Sequence, residues 1–222
     1  MLQASTLQFL KGLKKNNAKE WFDGHRKEYD AAKGDFAALV KEIIEQHGKK
    51  DATIAELEAK QCVFRINRDV RFSKDKAPYK SNFGASFKRD GKKSVYAGYY
   101  IHVEPGGNSF IGGGLWMPEP DALKKVRQEI DYCLEEFEGI VKSKKFIKVY
   151  NGLENADDLK LSRPPKGYEL DNPAIEYLKF KSFIASCPVN DEDLLSKGFP
   201  KKVLEAFETI QPLLDFINRS VE

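Results

Sequence analysis

The chain has 222 residues, of which 41% are hydrophobic and 32% charged, so it holds enough apolar material for a core and is not a disordered polar tail. No apolar run approaches the roughly 18 residues that span a bilayer, which excludes a transmembrane helix. The net charge of +3 conceals a gradient: residues 60–93 carry eleven basic and three acidic residues, a local +8 against −5 elsewhere, the pattern of a local anion site rather than of a whole-surface polyelectrolyte binder.

In chain order, the first 50 residues read as helical. Asn17 followed by Glu20 has the spacing of a capping box, and Phe22, His25, Tyr29, Phe36, Leu39, Val40 and Ile43 recur at three- and four-residue intervals, with Gly34 as the place for a break or bend. Residues 61–117 then switch to period two, as strands do. In an extended strand, Phe64, Ile66, Val70 and Phe72 fall on one face with Arg68 among them, and Arg65, Asn67, Asp69 and Arg71 fall on the other. A three-residue hairpin loop, Arg89-Asp90-Gly91, sets Phe83, Ala85 and Phe87 on the same face as Val95, Ala97, Tyr99, Ile101 and Val103. It leaves Tyr96, Tyr100, His102 and Glu104 together on the opposite face. A turn at Pro105-Gly106-Gly107 returns the chain as a strand over 109–117.

Pro120 opens a helix whose apolar stripe runs Leu123, Val126, Ile130, Leu134, Phe137, Val141. A short strand or loop over 159–165, a turn at Lys166-Gly167-Tyr168 and a short helix over 173–179 follow. The last helix starts near Pro200, with Val203, Phe207, Ile210, Leu214, Ile217 and Val221 inward and a kink at Pro212. With no repeat and no linker, residues 1–222 read as a single α+β domain: a mainly antiparallel central sheet, about residues 61–117, covered by N- and C-terminal helices.

The densest chemistry lies in Arg65-Ile66-Asn67-Arg68-Asp69-Val70-Arg71-Phe72, followed by Asp75-Lys76 and Tyr79. An arginine among core-facing residues must find a carboxylate or several carbonyls, because an unpaired buried charge costs several kcal/mol. Arg68, Asp69 and Asp75 are therefore expected in structural ion pairs, with Arg68 substantially buried. On the other face two guanidiniums beside one carboxylate leave positive charge in excess, and their forks match phosphate or carboxylate geometry. With the neighbouring strand added, the candidate ligand-binding set is Arg65, Arg71, Lys76, Tyr79, Tyr100 and His102.

The pattern Arg65, Arg68-Asp69, Arg71-Phe72, Asp75-Lys76, Tyr79 resembles the signature of the bacterial and fungal family known as domain of unknown function 2461. Phe9-Leu10, Asn16-Asn17, Trp21-Phe22, the 112–118 stretch from Gly112 to Pro118 and the Pro165-Lys166-Gly167-Tyr168 turn are similar too. The resemblance covers most of the chain and brings no established activity, cofactor or catalytic residue with it.

Other motifs are weaker. Gly112-Gly113-Gly114 lacks a following Gly-Lys-Ser/Thr, and Glu119 and Asp121 would repel an anion from the next helix, which argues against a phosphate loop. His102 and Glu104 suit two metal ligands or a base and its orienter, but no third ligand is near in sequence, so neither a metal nor a cofactor is expected. Cys62, Cys133 and Cys187 have no CxxC and read as reduced thiols in a cytoplasmic protein without a secretory signal. Three functions stay open: a binder of a phosphate-bearing small molecule or, less favoured, a nucleic-acid end; a hydrolase or phosphoryl-handling enzyme using Asp, His or Glu beside the cations; and a structural or interaction protein with an internal salt-bridge network. No membrane partner is expected, and the sequence leaves the oligomeric state and the enzyme question open.

Overall fold

The computed structural model describes residues 1–222. Its elements run α1 (Ala4–Lys15), α2 (Lys19–Gly24), α3 (Arg26–His47), α4 (Ala59–Cys62), β1 (Phe83–Phe87), β2 (Gly98–Val103), β3 (Ser109–Leu115), α5 (Pro120–Tyr132), α6 (Leu134–Val141), α7 (Lys144–Tyr150), α8 (Ile175–Leu178), β4 (Phe183–Val189), α9 (Asp191–Leu195) and α10 (Phe199–Val221). The strands form one antiparallel sheet in the order β1-β2-β3-β4, so the fold is α+β. No helix is long and apolar enough to cross a membrane. By internal packing the chain divides into two units, residues 1–92, 100–111 and 188–204, and residues 93–99, 112–187 and 205–222.

In the first unit α3 packs on α1 and, through Phe36 stacked on Phe83 at 5.5 Å, on β1. Helix α1 begins at Gln3 without a side-chain cap of its own. Asp35 of α3 supplies one, accepting from the Gln3 backbone N–H at 2.8 Å and from the Thr6 hydroxyl, and its charge suits the positive end of the helix. Helix α3 runs through Gly34 without a break, and the interruption falls earlier, at Gly24-His25. Asn17 does not cap α2, whose N-cap is Ala18 with no side-chain bond. The Gly106 and Gly107 N–H groups of the β2–β3 turn both donate to Asp191, at 2.9 and 3.2 Å.

The second unit is built on aromatic packing, with Tyr99 stacked on Phe207 at 4.5 Å and Phe137 against Tyr177, Phe183 and Phe216. The single helix expected from Pro120 is divided at Cys133, which leaves helical geometry (φ −120°, ψ 41°). Arg219 of α10 then ties the two parts together, donating to Glu129 of α5 and Glu136 of α6 at 2.6–2.8 Å. Pro212 sits inside α10.

The expected meander is present as β1, β2 and β3, and its faces are as read: Phe83, Ala85, Phe87, Ala97, Tyr99, Ile101 and Val103 are buried. The tight hairpin is not. Residues 88–97 form a longer connection in which Asp90 and Gly91 are both left-handed (φ 64° and 85°) and Val95 is exposed. Residues 61–72 do not form a strand either; their β-pairing is limited to the isolated antiparallel bridges Val63 to Ala85 and Asn67 to Tyr79. Residues 159–165, read as a short strand or loop, are a loop carrying one bridge, Lys160 to Phe180, and the fourth strand is β4. Its Pro188 lacks a ladder N–H, which an edge strand tolerates.

Candidate anion site

The signature segment is an excursion whose two arms pair through Lys80 N–H to the Ile66 carbonyl (2.8 Å) and Arg68 N–H to the Pro78 carbonyl (2.9 Å). Its tip closes on itself. Arg71 donates through two nitrogens to Asp69 at 2.7 and 2.9 Å, Arg68 pairs with Asp75, and Lys76 caps the Val70 carbonyl at 3.1 Å. The Arg71 guanidinium beside Asp69 holds that carboxyl below its usual value. Phe72, expected inward, is 95% exposed, because the segment bends into a loop before the alternation can reach it.

Arg68 also departs from expectation. Its partner is a carboxylate, as expected, but the pair lies near the surface, with Arg68 27% and Asp75 65% exposed. Arg68→Ala should therefore cost no more than about 1 kcal/mol, the range of solvent-screened ion pairs, instead of the several that a buried pair would cost. A urea titration of the variant checks this, and a loss above about 3 kcal/mol would restore the buried reading.

Tyr79 is turned away from solvent. Its ring stacks on Phe22 at 4.1 Å, and its backbone N–H and carbonyl are both bonded by the side-chain amide of Asn17, at 3.0 and 2.9 Å. Arg71, Lys76 and Tyr79 are thus occupied by partners of their own.

The sheet supplies a second arrangement. Tyr100, His102 and Glu104 alternate along β2 and its end, as period two requires. The Tyr100 hydroxyl lies 3.4 Å from His102 Nδ1, His102 Nε2 lies 3.3 Å from Glu104, and Lys14 of α1 donates to Glu104 at 2.8 Å. Phe110 stacks flat on His102 at 4.8 Å, and Gly84 makes room for Tyr100, since a Cβ there would stand 2.5 Å from the phenol oxygen. Burial pushes the Glu104 carboxyl upward, but the bonds and charges of Lys14 and His102 outweigh it and leave it below its usual value. An ionised Glu104 only accepts, so His102 carries its proton on Nε2, and the bare Nδ1 accepts from Tyr100.

Burial also lowers the His102 pKa against the opposing pull of Glu104. The unfolded chain then binds a proton more readily than the folded one, so this contribution is complete above the ordinary imidazole value near 6.5 and is lost as pH falls through the lower folded value. Stability curves of the protein and of His102→Asn, measured from pH 7.5 to 4.5, should differ in slope in that window, with the histidine form steeper.

Arg65 and Lys80 complete the cluster. The Lys80 ammonium lies 5.4 Å over the ring of Phe64, which meets Tyr100 edge to face at 6.2 Å. Burial lowers the Lys80 pKa and the charge of Arg65 lowers it further. Neither cation has a carboxylate partner, and Asp69, which feels Arg65, is already held by Arg71. Lys14 neutralises Glu104, so Lys80 stands uncompensated over Phe64, with the like charge of Arg65 acting on it. Of the six residues read from sequence, this contact chain joins Tyr100 and His102, and Arg65 reaches it through its charge on Lys80. It adds Lys80 and Lys14, whose roles depend on neighbours distant in sequence.

The family model of the conserved hypothetical proteins DUF2461 matches residues 5–216. The chain belongs to the DUF2461 family. The match takes in the whole excursion and the Tyr100–Glu104 row, so the DUF2461 resemblance of the charged motif holds over the length of the chain. No curated protein and no solved structure matches the chain.

Proposed function

We propose that the chain is an anion-binding protein whose Arg65 and Lys80 hold the phosphate of a small molecule, or of a nucleic-acid end, against Tyr100 and His102. The observation that carries this reading is that Arg65 and Lys80 act on one another with no carboxylate between them, where the tip arginines Arg68 and Arg71 are each paired with a carboxylate. Two like charges held together lower one another's fitness until an anion arrives, and a guanidinium and an ammonium supply the donors it needs. Phe64, Tyr100 and Phe110 offer aromatic surface of the kind that stacks a base or other ring. The excess negative charge outside residues 60–93 favours a compact ligand over a long nucleic acid.

Calorimetric titration with pyrophosphate tests it. Arg65→Ala and Lys80→Ala should each weaken binding about ten- to a hundred-fold, the loss of one charged hydrogen bond, while Arg71→Ala should leave it within about three-fold. Equal losses from all three would assign the anion to the loop tip. A phosphoryl-handling enzyme is the second reading, favoured by the Glu104-oriented His102, which has the arrangement of a general base and its orienter. Turnover of a phosphate ester that disappears in His102→Asn with pyrophosphate affinity retained would select it.

A further inference from the structure

The second unit holds a cavity of about 300 Å³ walled by α6, α7, α8 and the residues following α7, at the lower end of the range of small-molecule sites. Its apolar surface comes from Val141, Ile147, Leu153, Tyr177 and Phe180, the two rings 6.4 Å apart and tilted by 39°. Asn151, Asn155 and Lys160 are among its polar lining residues, and the Lys160 ammonium sits 4.8 Å over the Phe180 ring.

The charges around the cavity decide what it would take. Lys142 is matched by Glu138 at 2.6 Å, and Glu176 by Lys179 at 2.9 Å. Lys160 has no carboxylate within ion-pairing distance, so the cavity carries one positive charge beside two amides and an aromatic wall. A single charge next to the Glu176 carboxylate suits a monoanion better than a phosphate dianion. We infer that this cavity is a binding site for a small monocarboxylate with an apolar, aromatic body, its carboxylate on Lys160 and the Asn151 and Asn155 amides and its ring on Tyr177 and Phe180. Asn151 and Gly152, both at the cavity, hold the turn after α7 in the left-handed region (φ 57° and 112°).

Ligand-observed NMR titration with indole-3-acetate and 3-phenylpropionate, each beside its neutral amide, tests the inference. The acids should saturate with Kd of about 0.1–1 mM, as expected of ligands this small. Lys160→Met should weaken them about ten- to a hundred-fold, and the neutral amides should bind the unaltered protein equally weakly. Ile147→Glu, a surface substitution that puts a negative charge at the cavity, should abolish binding with the melting curve unchanged. Acids and amides of equal affinity, no saturation at about ten times the expected Kd, or binding untouched by both substitutions would overturn the site. Tighter binding of 3-phenylpropyl phosphate would overturn its assignment to monocarboxylates.

Discussion

Asn17→Ala is expected to destabilise the protein by about 2 to 4 kcal/mol, although the side chain carries no charge. Asn17 Nδ2 donates to the Tyr79 carbonyl at 2.9 Å and Oδ1 accepts from the Tyr79 N–H at 3.0 Å, so one amide completes the hydrogen bonding of a residue 62 positions away. Tyr79 is 7% exposed and stacked on Phe22. Alanine strands both backbone groups, each at a cost of about 1 to 3 kcal/mol less whatever water recovers. Asn17→Ser separates this clamp from helix capping. Serine caps a helix as well as asparagine does, so a capping role predicts little loss, whereas the clamp predicts a loss close to that of alanine. Urea unfolding with an unchanged m-value measures both. Asn218 bonds both backbone groups of Ala97 in the same way, at 2.8 and 3.3 Å, so each unit secures one irregular segment with an asparagine.

Gly114→Ala should cost about 3 to 5 kcal/mol or prevent folding. Its φ of 123° is nearly closed to L-residues, and a Cβ would stand 2.0 Å from the Phe183 carbonyl oxygen and 2.7 Å from Ile184 Cα. The backbone strain and the overpacking each account for about 1 to 3 kcal/mol. The strain cannot be relieved by a rotamer change, because the obstacle is the backbone of β4. Gly34→Ala is the control. It lies inside α3 with nothing within 4 Å of the added carbon, and should stabilise by about 0.5 to 1 kcal/mol. Thermal unfolding of the two variants should therefore shift in opposite directions.

What the sequence made legible follows from the range of the forces involved. The faces of β1 and β2 were readable because side-chain alternation is local. They survive although the connection between them is longer than the expected hairpin, since burial of Ala85 and Tyr99 fixes the register regardless of the turn. Residues 61–72 misled because the apolar residues Phe64, Ile66, Val70 and Phe72 have strand spacing while the charges among them, Arg68, Asp69 and Arg71, serve a loop, where Arg71 holds Asp69 and Arg68 reaches Asp75. That loop leaves Phe72 in solvent.

Within the site, Arg65, Tyr100 and His102 were readable as a charged strand near a polar one. Lys80 was passed over: once Asp69 and Asp75 are assigned to Arg71 and Arg68, charge counting leaves it unmatched together with Arg65, Lys74 and Lys76, and only its place over Phe64 sets it apart. The bond from Lys14 to Glu104 spans 90 residues and that from Asn17 to Tyr79 spans 62, and no local pattern encodes either.

A crystal structure of the protein grown with pyrophosphate tests the anion-site proposal most directly. The account predicts the anion bonded to both the Arg65 guanidinium and the Lys80 ammonium, beside the rings of Phe64 and Tyr100, with the Arg71–Asp69 and Arg68–Asp75 pairs intact. Pyrophosphate held at Arg71 or Lys76 with Asp69 displaced, and Arg65 and Lys80 left in solvent, would contradict it.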